Sequence, residues 1–296
     1  MSSNKKRKVV ILGCCGFIGT QLSTVVQNAG FDVWGIDRVA SDNPQIIQAN
    51  LLDPLETKTA LQKIGKCDVI IHLMALSTGT PSPHGETLET VNIKFTQNIL
   101  NAVIDVQQFV YFSSTTVYGE ENRRGFVSPR DVLHPASLYG IGKKRCEEMI
   151  LAKNFRATAI CRPTPVYSEN RMRNLQVRAY FPFTKIKIRL IPSPRYSLCN
   201  IQKVLEDTLQ IIQENKPGIS VRNFADEQPL FQSEIAKMFS GCSWPFFTYT
   251  FIPFYLLLKL FPGKKSYRLR CLYRKLFESC LYSTEAIEIQ KPQKDQ

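Results

Sequence analysis

Tyr139 and Lys143 stand four positions apart in the string SLYGIGK, a spacing that places both on one face of a helix. A phenol ordinarily titrates at about 10, and a nearby ammonium favours its ionised form. The pair is therefore suited to moving a proton at a hydroxyl or carbonyl oxygen. Ser114, in FSSTTVYG after an apolar run, is placed to hydrogen-bond the same oxygen. A tyrosine and a lysine at this spacing occur often on ordinary surfaces, so a second motif carries the weight. In GCCGFIG, Gly13, Gly16 and Gly19 follow the strand-like KVVIL and precede a helical run from residue 17. Such glycines let the backbone approach a pyrophosphate, while the helix start offers N–H groups and positive potential. Phe17 and Ile18 in the same turn are expected to touch the cofactor too. Asp37 closes the next apolar run, DVWGID. Its carboxylate would accept hydrogen bonds from an adenosine ribose and repel the extra phosphate of NADP, so NAD is expected. Arg38 keeps NADP open, because a guanidinium can meet a 2′-phosphate as well as stack on adenine.

The elements that must position these residues are legible as well. The runs KVVILG, DVWGID, DVIIHL, FVYFSS and ATAICR alternate with longer helical stretches, the pattern of an α/β, Rossmann-type, doubly wound parallel sheet. Their near-continuous Val and Ile content predicts strands covered on both faces. After residue 163 the prolines at 163, 165, 182, 192 and 194 interrupt a basic, irregular sequence. The expected organisation is a dinucleotide-binding domain over 1–165 and a smaller, mainly substrate-binding portion over 166–296. Within the latter, a helix at 202–214, a strand at 220–224 and a helix near 231–240 are predicted, with some elements returning to the main sheet.

With 296 residues, 44% hydrophobic and 21% charged, the chain can bury a full core and is not a disordered type. Nine cysteines form no CxxC pair, and His72, His84 and His134 are scattered. Neither a disulfide framework nor a metal site is expected, and a reducing cytoplasm suits the composition. The net charge is +13, and residues 161–296 hold 21 Lys and Arg against 11 Asp and Glu. Seven basic residues from Arg171 to Arg195 have no acid among them, which suits a phosphorylated substrate, a nucleic acid or an anionic membrane. The KKRK cluster at 5–8 reads as a solvated lead-in to a strand. The apolar stretch WPFFTYTFIPFYLLLKLF at 244–261 contains Pro245, Pro253 and Lys259, which oppose a spanning helix. Core or substrate-domain packing is expected there, with a monotopic surface contact as the alternative.

Together, the glycine turn, Ser114 and SLYGIGK make residues 8–168 resemble the extended short-chain dehydrogenase/reductase family, also called the NAD-dependent epimerase/dehydratase family. The resemblance implies that Ser114, Tyr139 and Lys143 are catalytic, with Tyr139 and Lys143 also beside the cofactor. It implies cofactor contacts from Leu73 and Ala75 in HLMA, mostly through backbone, and from Asn50 and Leu51, where the family has an acid and an aliphatic beside adenine. Asn92 resembles a structural asparagine, and RPTPVY at 162–167 the segment after the sixth strand. Dehydratases similar in fold carry an Asp-Glu pair where this chain has Thr115 and Thr116, so SSTTVYG looks more like nucleotide-sugar 4-epimerases and 4-keto reductases.

Epimerisation of a nucleotide-diphosphate sugar, by transient hydride transfer to NAD, is the function this resemblance implies. A reductase that releases its cofactor and a noncatalytic RNA-binding protein are the alternatives, nucleic acid being the less expected partner. Pro165 stands where such epimerases often have a phosphate-contacting Asn, and Lys203 where an acid is usual. These departures leave the sugar and nucleotide open, with Asn174 and the basic run after it expected to hold a diphosphate. The expected assembly, if any, is a homodimer.

Overall fold

Strand β1 (Lys8–Leu12) decides how the chain layers. Successive side chains on a strand point to opposite faces, and Val9, Val10, Ile11 and Leu12 are all fully buried, so both faces of the sheet must be covered. The computed structural model describes residues 6–76, 85–103, 105–119, 125–181, 184–247, 252–260 and 263–289; His84 lies outside them. Beside β1 run β2 (Asp32–Asp37), β3 (Ile46–Gln48), β4 (Val69–His72), β5 (Gln108–Phe112), β6 (Ala157–Pro163), β7 (Gly218–Phe224) and β8 (Ala286–Ile289). Their spatial order is β3-β2-β1-β4-β5-β6-β7-β8. Every neighbouring pair is parallel except β7 with β8. The order reverses between β1 and β4, and in such sheets ligands bind at the carboxyl ends of the strands beside that reversal.

Val9 and Ile11 share a core with Leu22 and Val26 of α1 (Phe17–Asn28) and Val204 and Leu205 of α6 (Ile201–Glu214). Val10 and Leu12 face the other layer, made by α2 (Pro54–Ile64), α3 (Leu88–Ala102) and α4 (Leu138–Ala152). Local signals set the helix starts. Asp53 caps α2 by accepting from the N–H groups of Leu55 and Glu56, with Pro54 at the first helical position, and Ser137 caps α4 through the N–H of Gly140. No side chain caps α1.

The stretch after residue 165 divides. Its α6, β7 and β8 join the main sheet, whereas α5 (Arg173–Ala179) and α7 (Gln232–Lys237) pack on a separate cluster of Leu175, Ala179, Tyr196, Leu198 and Ile235. Beside them the short strands Ile188–Ile191 and Trp244–Phe247 pair in parallel.

Helices α8 (Ile252–Leu260) and α9 (Lys264–Phe277) follow, joined by stacking of Tyr255 on Tyr273 at 4.6 Å between ring centroids. Of the core or substrate-domain packing expected for 244–261, core packing is not what its described residues show. Trp244 is 67% exposed, Leu256 53% and Leu260 74%. A short helix that is apolar nearly all round can turn only one face to a neighbour, so its other face stays outside. No helix among the described residues is long and apolar enough to cross a membrane.

The basic lead-in is held rather than only solvated. Arg7 Nη1 donates to the Ile212 carbonyl at 2.7 Å, and Lys8 Nζ to that of Ile64 at 3.0 Å.

Candidate active site

At the carboxyl end of β1 the chain turns through Gly13, whose φ of +88° suits glycine and whose N–H donates to the Ile36 carbonyl at 2.8 Å. A Cβ on Gly19 would lie 2.2 Å from the Gly13 carbonyl oxygen, so only glycine lets α1 start this close to the turn. Gly16 is the residue before the helix, and the missing side-chain cap leaves the helix start without a side-chain acceptor. Phe17 and Ile18 are half-buried beside it, and the Arg171 guanidinium lies 4.6 Å from the Phe17 ring centre. This cradle fits a pyrophosphate.

Asp37, buried at the end of β2, ties the cradle to the sheet. Its Oδ2 accepts from the Cys15 N–H at 3.0 Å and its Oδ1 from the Val39 N–H at 3.2 Å. Arg38 is exposed next to it. Asn50 is exposed and accepts from the Leu52 N–H through Oδ1 at 3.2 Å. Leu51 needs correction as a side-chain contact. It has no exposure and sits in the sheet core, because the apolar residue following β3 is drawn inward. Leu73 is bound through its N–H to the Leu12 carbonyl at 3.0 Å, and Ala75 is half-buried. Asn92 is a structural clamp: its side chain accepts from the Leu76 N–H at 2.7 Å and donates to the Leu76 carbonyl at 3.1 Å.

Cys14, Cys15 and Asp37 bring three potential ligand atoms within 4.8 Å of one another, a meeting the sequence reading did not foresee. Burial, more than the neighbouring Cys15, pushes the Cys14 thiol up to about 12.

Ser114, Tyr139 and Lys143, the residues expected to move a proton, lie on the turn after β5 and on the helix packed against it. Ser114 starts the single turn Thr115–Tyr118, its Oγ accepting from the Thr116 N–H at 3.2 Å. Helix α4 packs against that turn, and a Cβ on Gly140 would lie 2.8 Å from the Thr116 carbonyl oxygen. Gly142 makes a similar approach to α3, where a Cβ would meet Glu89 Cα at 2.9 Å. The glycines of SLYGIGK thus set how closely α4 carries Tyr139 and Lys143 to Ser114.

Lys143 is 2% exposed. Its Nζ donates to the Phe112 carbonyl at 2.7 Å and lies 4.8 Å from the Tyr111 ring centre. Burial pushes its amine down to about 8, against the opposing pull of Cys146 and Glu147. Burial pushes the Tyr139 phenol up to about 12, with Cys146 adding to it. Burial sets this direction; the expectation of an ionised phenol counted an oxidised nicotinamide as a second cation beside it, together with Lys143.

Sequence reading missed the support beneath this site. Glu147 accepts from Arg162 through both carboxylate oxygens, at 3.0 and 2.7 Å, and also from the Ser113 hydroxyl. Arg162 donates on to Tyr118 Oη at 2.9 Å, which in turn donates to Asn223 Oδ1 at 2.6 Å. The network joins α4, β5, β6 and β7. Its one sequence signal is that Glu147 lies four residues beyond Lys143, on the same helical face.

A cleft of about 1210 Å³ opens beside the Ser114 turn, with Thr115 and Thr116 in its wall. Arg173, Asn174, Arg178, Lys185 and Lys187 line it too, so much of the basic run converges there. Arg178 Nε and Thr116 Oγ1 are buried with no hydrogen-bond partner among the described residues. Asn174 is already engaged, its Nδ2 donating to the Val166 carbonyl at 2.7 Å. Pro165 also lines the cleft, whereas Lys203 is paired with Asp207 at 3.2 Å on α6.

Residues 9–185 match the model of the NAD dependent epimerase/dehydratase family. The chain belongs to that family. This member is similar to an uncharacterized UDP-glucose epimerase of Bacillus subtilis (strain 168), with 30% identity over 161 residues, 48% of this chain and 50% of the relative. It is also similar to an ADP-L-glycero-D-manno-heptose-6-epimerase of Cupriavidus pinatubonensis, with 26% identity over 46% of this chain and 43% of the relative. The chain spans about half the length of the curated relatives it matches. Among solved structures, UDP-glucuronic acid 4-epimerase from Bacillus cereus in complex with NAD superposes at a TM-score of 0.64, with 22% identity over 81% of this chain and 87% of that one. That likeness establishes the fold this family member shares.

Proposed function

We propose that the protein is an NAD-dependent epimerase of a nucleotide-diphosphate sugar, working in the cytoplasm. The observation that carries this reading is the convergence of Tyr139 and Lys143 on the Ser114 turn, whose next two residues wall a cleft rich in cations. The glycine cradle and the uncapped start of α1 would hold the NAD pyrophosphate, Asp37 the adenosine ribose, and Lys143 the nicotinamide ribose. Bound there, NAD would supply a hydride acceptor for the reacting sugar carbon and a cation beside the phenol.

Tyr139 takes the proton of the sugar hydroxyl and gives it back once the keto-sugar has turned its other face. Ser114 holds that oxygen by a hydrogen bond, and Lys143 fixes the phenol between them. Arg178, whose Nε is buried in the cleft wall with no hydrogen-bond partner among the described residues, would meet the diphosphate, since a guanidinium can bind phosphate oxygens in pairs. Burial pushes its pKa down, so an anion there would relieve an uncompensated charge. The names of the similar proteins, two of them epimerases of UDP-sugars, point the same way.

The test is to denature the purified protein, identify the released nucleotide by mass, and screen UDP-, GDP- and dTDP-sugars for conversion. Retained NAD and interconversion without net redox change are expected. Net consumption of added NADH or NADPH with a keto-sugar would make the protein a reductase instead.

A further inference from the structure

Exposed large apolar side chains are unevenly spread over this protein. Of the seventeen among the described residues, seven fall between Trp244 and Leu269, which marks out one region. Within it, Ile252, Leu256 and Leu260 recur every four residues of α8 and are 45%, 53% and 74% exposed, with Leu257 beside them at 50%. That spacing makes a stripe along one face of the helix. The helix is seated on α9 through Tyr255, and the stripe stays exposed to solvent.

Charge identifies what covers it. From Trp244 to Phe277 the sequence holds seven Lys and Arg and no Asp or Glu, six of them in α9, of which Arg274 is paired with Glu278 just beyond the helix. A second copy of the chain would bring the same positive charge to the contact and be repelled. A nucleic acid would neutralise the cations but give the leucines nothing to bury against. The headgroups and acyl chains of an anionic bilayer answer both features. We propose that α8 and α9 dock the protein on an anionic phospholipid surface, with α8 lying in the plane of the interface.

A nine-residue helix is about 14 Å long, against a hydrocarbon layer of about 30 Å, so α8 can lie in the surface and cannot span it. A single modest apolar anchor binds marginally and gains from an adjacent basic cluster, which α9 supplies. Trp244 and Arg274 also line the cleft, so the docking elements are continuous with its wall. The proposal does not depend on the epimerase reading, since binding is measured without substrate.

The full chain is sedimented with phosphatidylcholine vesicles, with or without phosphatidylglycerol. It is expected to bind the phosphatidylglycerol vesicles and to be released as salt rises from about 0.1 to about 1 M, where the Debye length falls from about 10 to about 3 Å. The double variant Leu256→Glu/Leu260→Glu, its folding checked by circular dichroism, should lower the partition coefficient by about tenfold or more. Leu55→Glu, at a 73% exposed position on α2, should leave it unchanged. The proposal is overturned if wild-type protein stays in the supernatant with phosphatidylglycerol at low salt. It is equally overturned if both variants bind as wild type does, if Leu55→Glu weakens binding as much as the double variant, or if the leucines prove to hold a dimer that binds no vesicles.

Discussion

Lys143 Nζ lies 5.9 Å from the centre of the Tyr139 ring, while its hydrogen bond to the Phe112 carbonyl fixes it to the end of β5. The lysine is thus a strut between strand and helix as well as a charge beside the phenol. Replacing Tyr139 with Phe removes only the phenolic oxygen. The fold and most NAD affinity should persist, while turnover of the sugar nucleotide falls by about 10² to 10⁴. Steady-state kinetics beside a thermal melt will check this, and near-normal turnover in a folded variant would remove Tyr139 from the proton path.

Burying Lys143 makes cofactor-free stability depend on pH in a defined direction. Its folded pKa, about 8, is below its ordinary value of 10.5. Between those values the unfolded chain binds more protons at this site than the folded one, so the site's contribution to stability rises with pH over that window. Lys143→Met should remove this increment. Urea unfolding at pH 8 and pH 10 ought to show wild type gaining on the variant; parallel curves would contradict the buried amine.

Asp37 caps the Cys15 N–H, and its proposed second duty is to meet the adenosine ribose. Asp37→Ala should weaken NAD by about tenfold to a hundredfold, as expected for hydrogen bonds to a charged group, and relatively favour NADP. Titration of both cofactors decides. Unchanged affinity for both would show that Asp37 serves the turn alone.

The Glu147–Arg162 pair is buried on both sides, with side chains 3% and 6% exposed. Glu147→Leu leaves a guanidinium without its partner and should cost about 3 to 5 kcal/mol of unfolding free energy. Adding Arg162→Leu should restore a substantial part of that loss. A double variant no more stable than the single one, in urea titration, would mean that the network matters by its geometry rather than by the paired charge.

By itself the sequence determined what local rules control. The Val- and Ile-rich runs at 8–12, 69–72 and 108–112 could only become strands covered on both faces, and Gly13, Gly16 and Gly19 could only sit where a strand turns into a helix, because these consequences need no distant partner. The four-residue spacing of Tyr139 and Lys143 likewise fixed their shared face. Tertiary structure alone decided which strands are neighbours, that the basic residues from Arg173 to Lys187 gather around one cleft, and that Glu147 meets Arg162 across fifteen residues of chain. It also decided that burial pushes the Tyr139 phenol up to about 12. The stretch 244–261 shows the limit most plainly. Its composition is that of a buried segment, yet burial needs a facing surface, and only the folded chain reveals that α9 covers one side of α8 and leaves Leu256 and Leu260 outside.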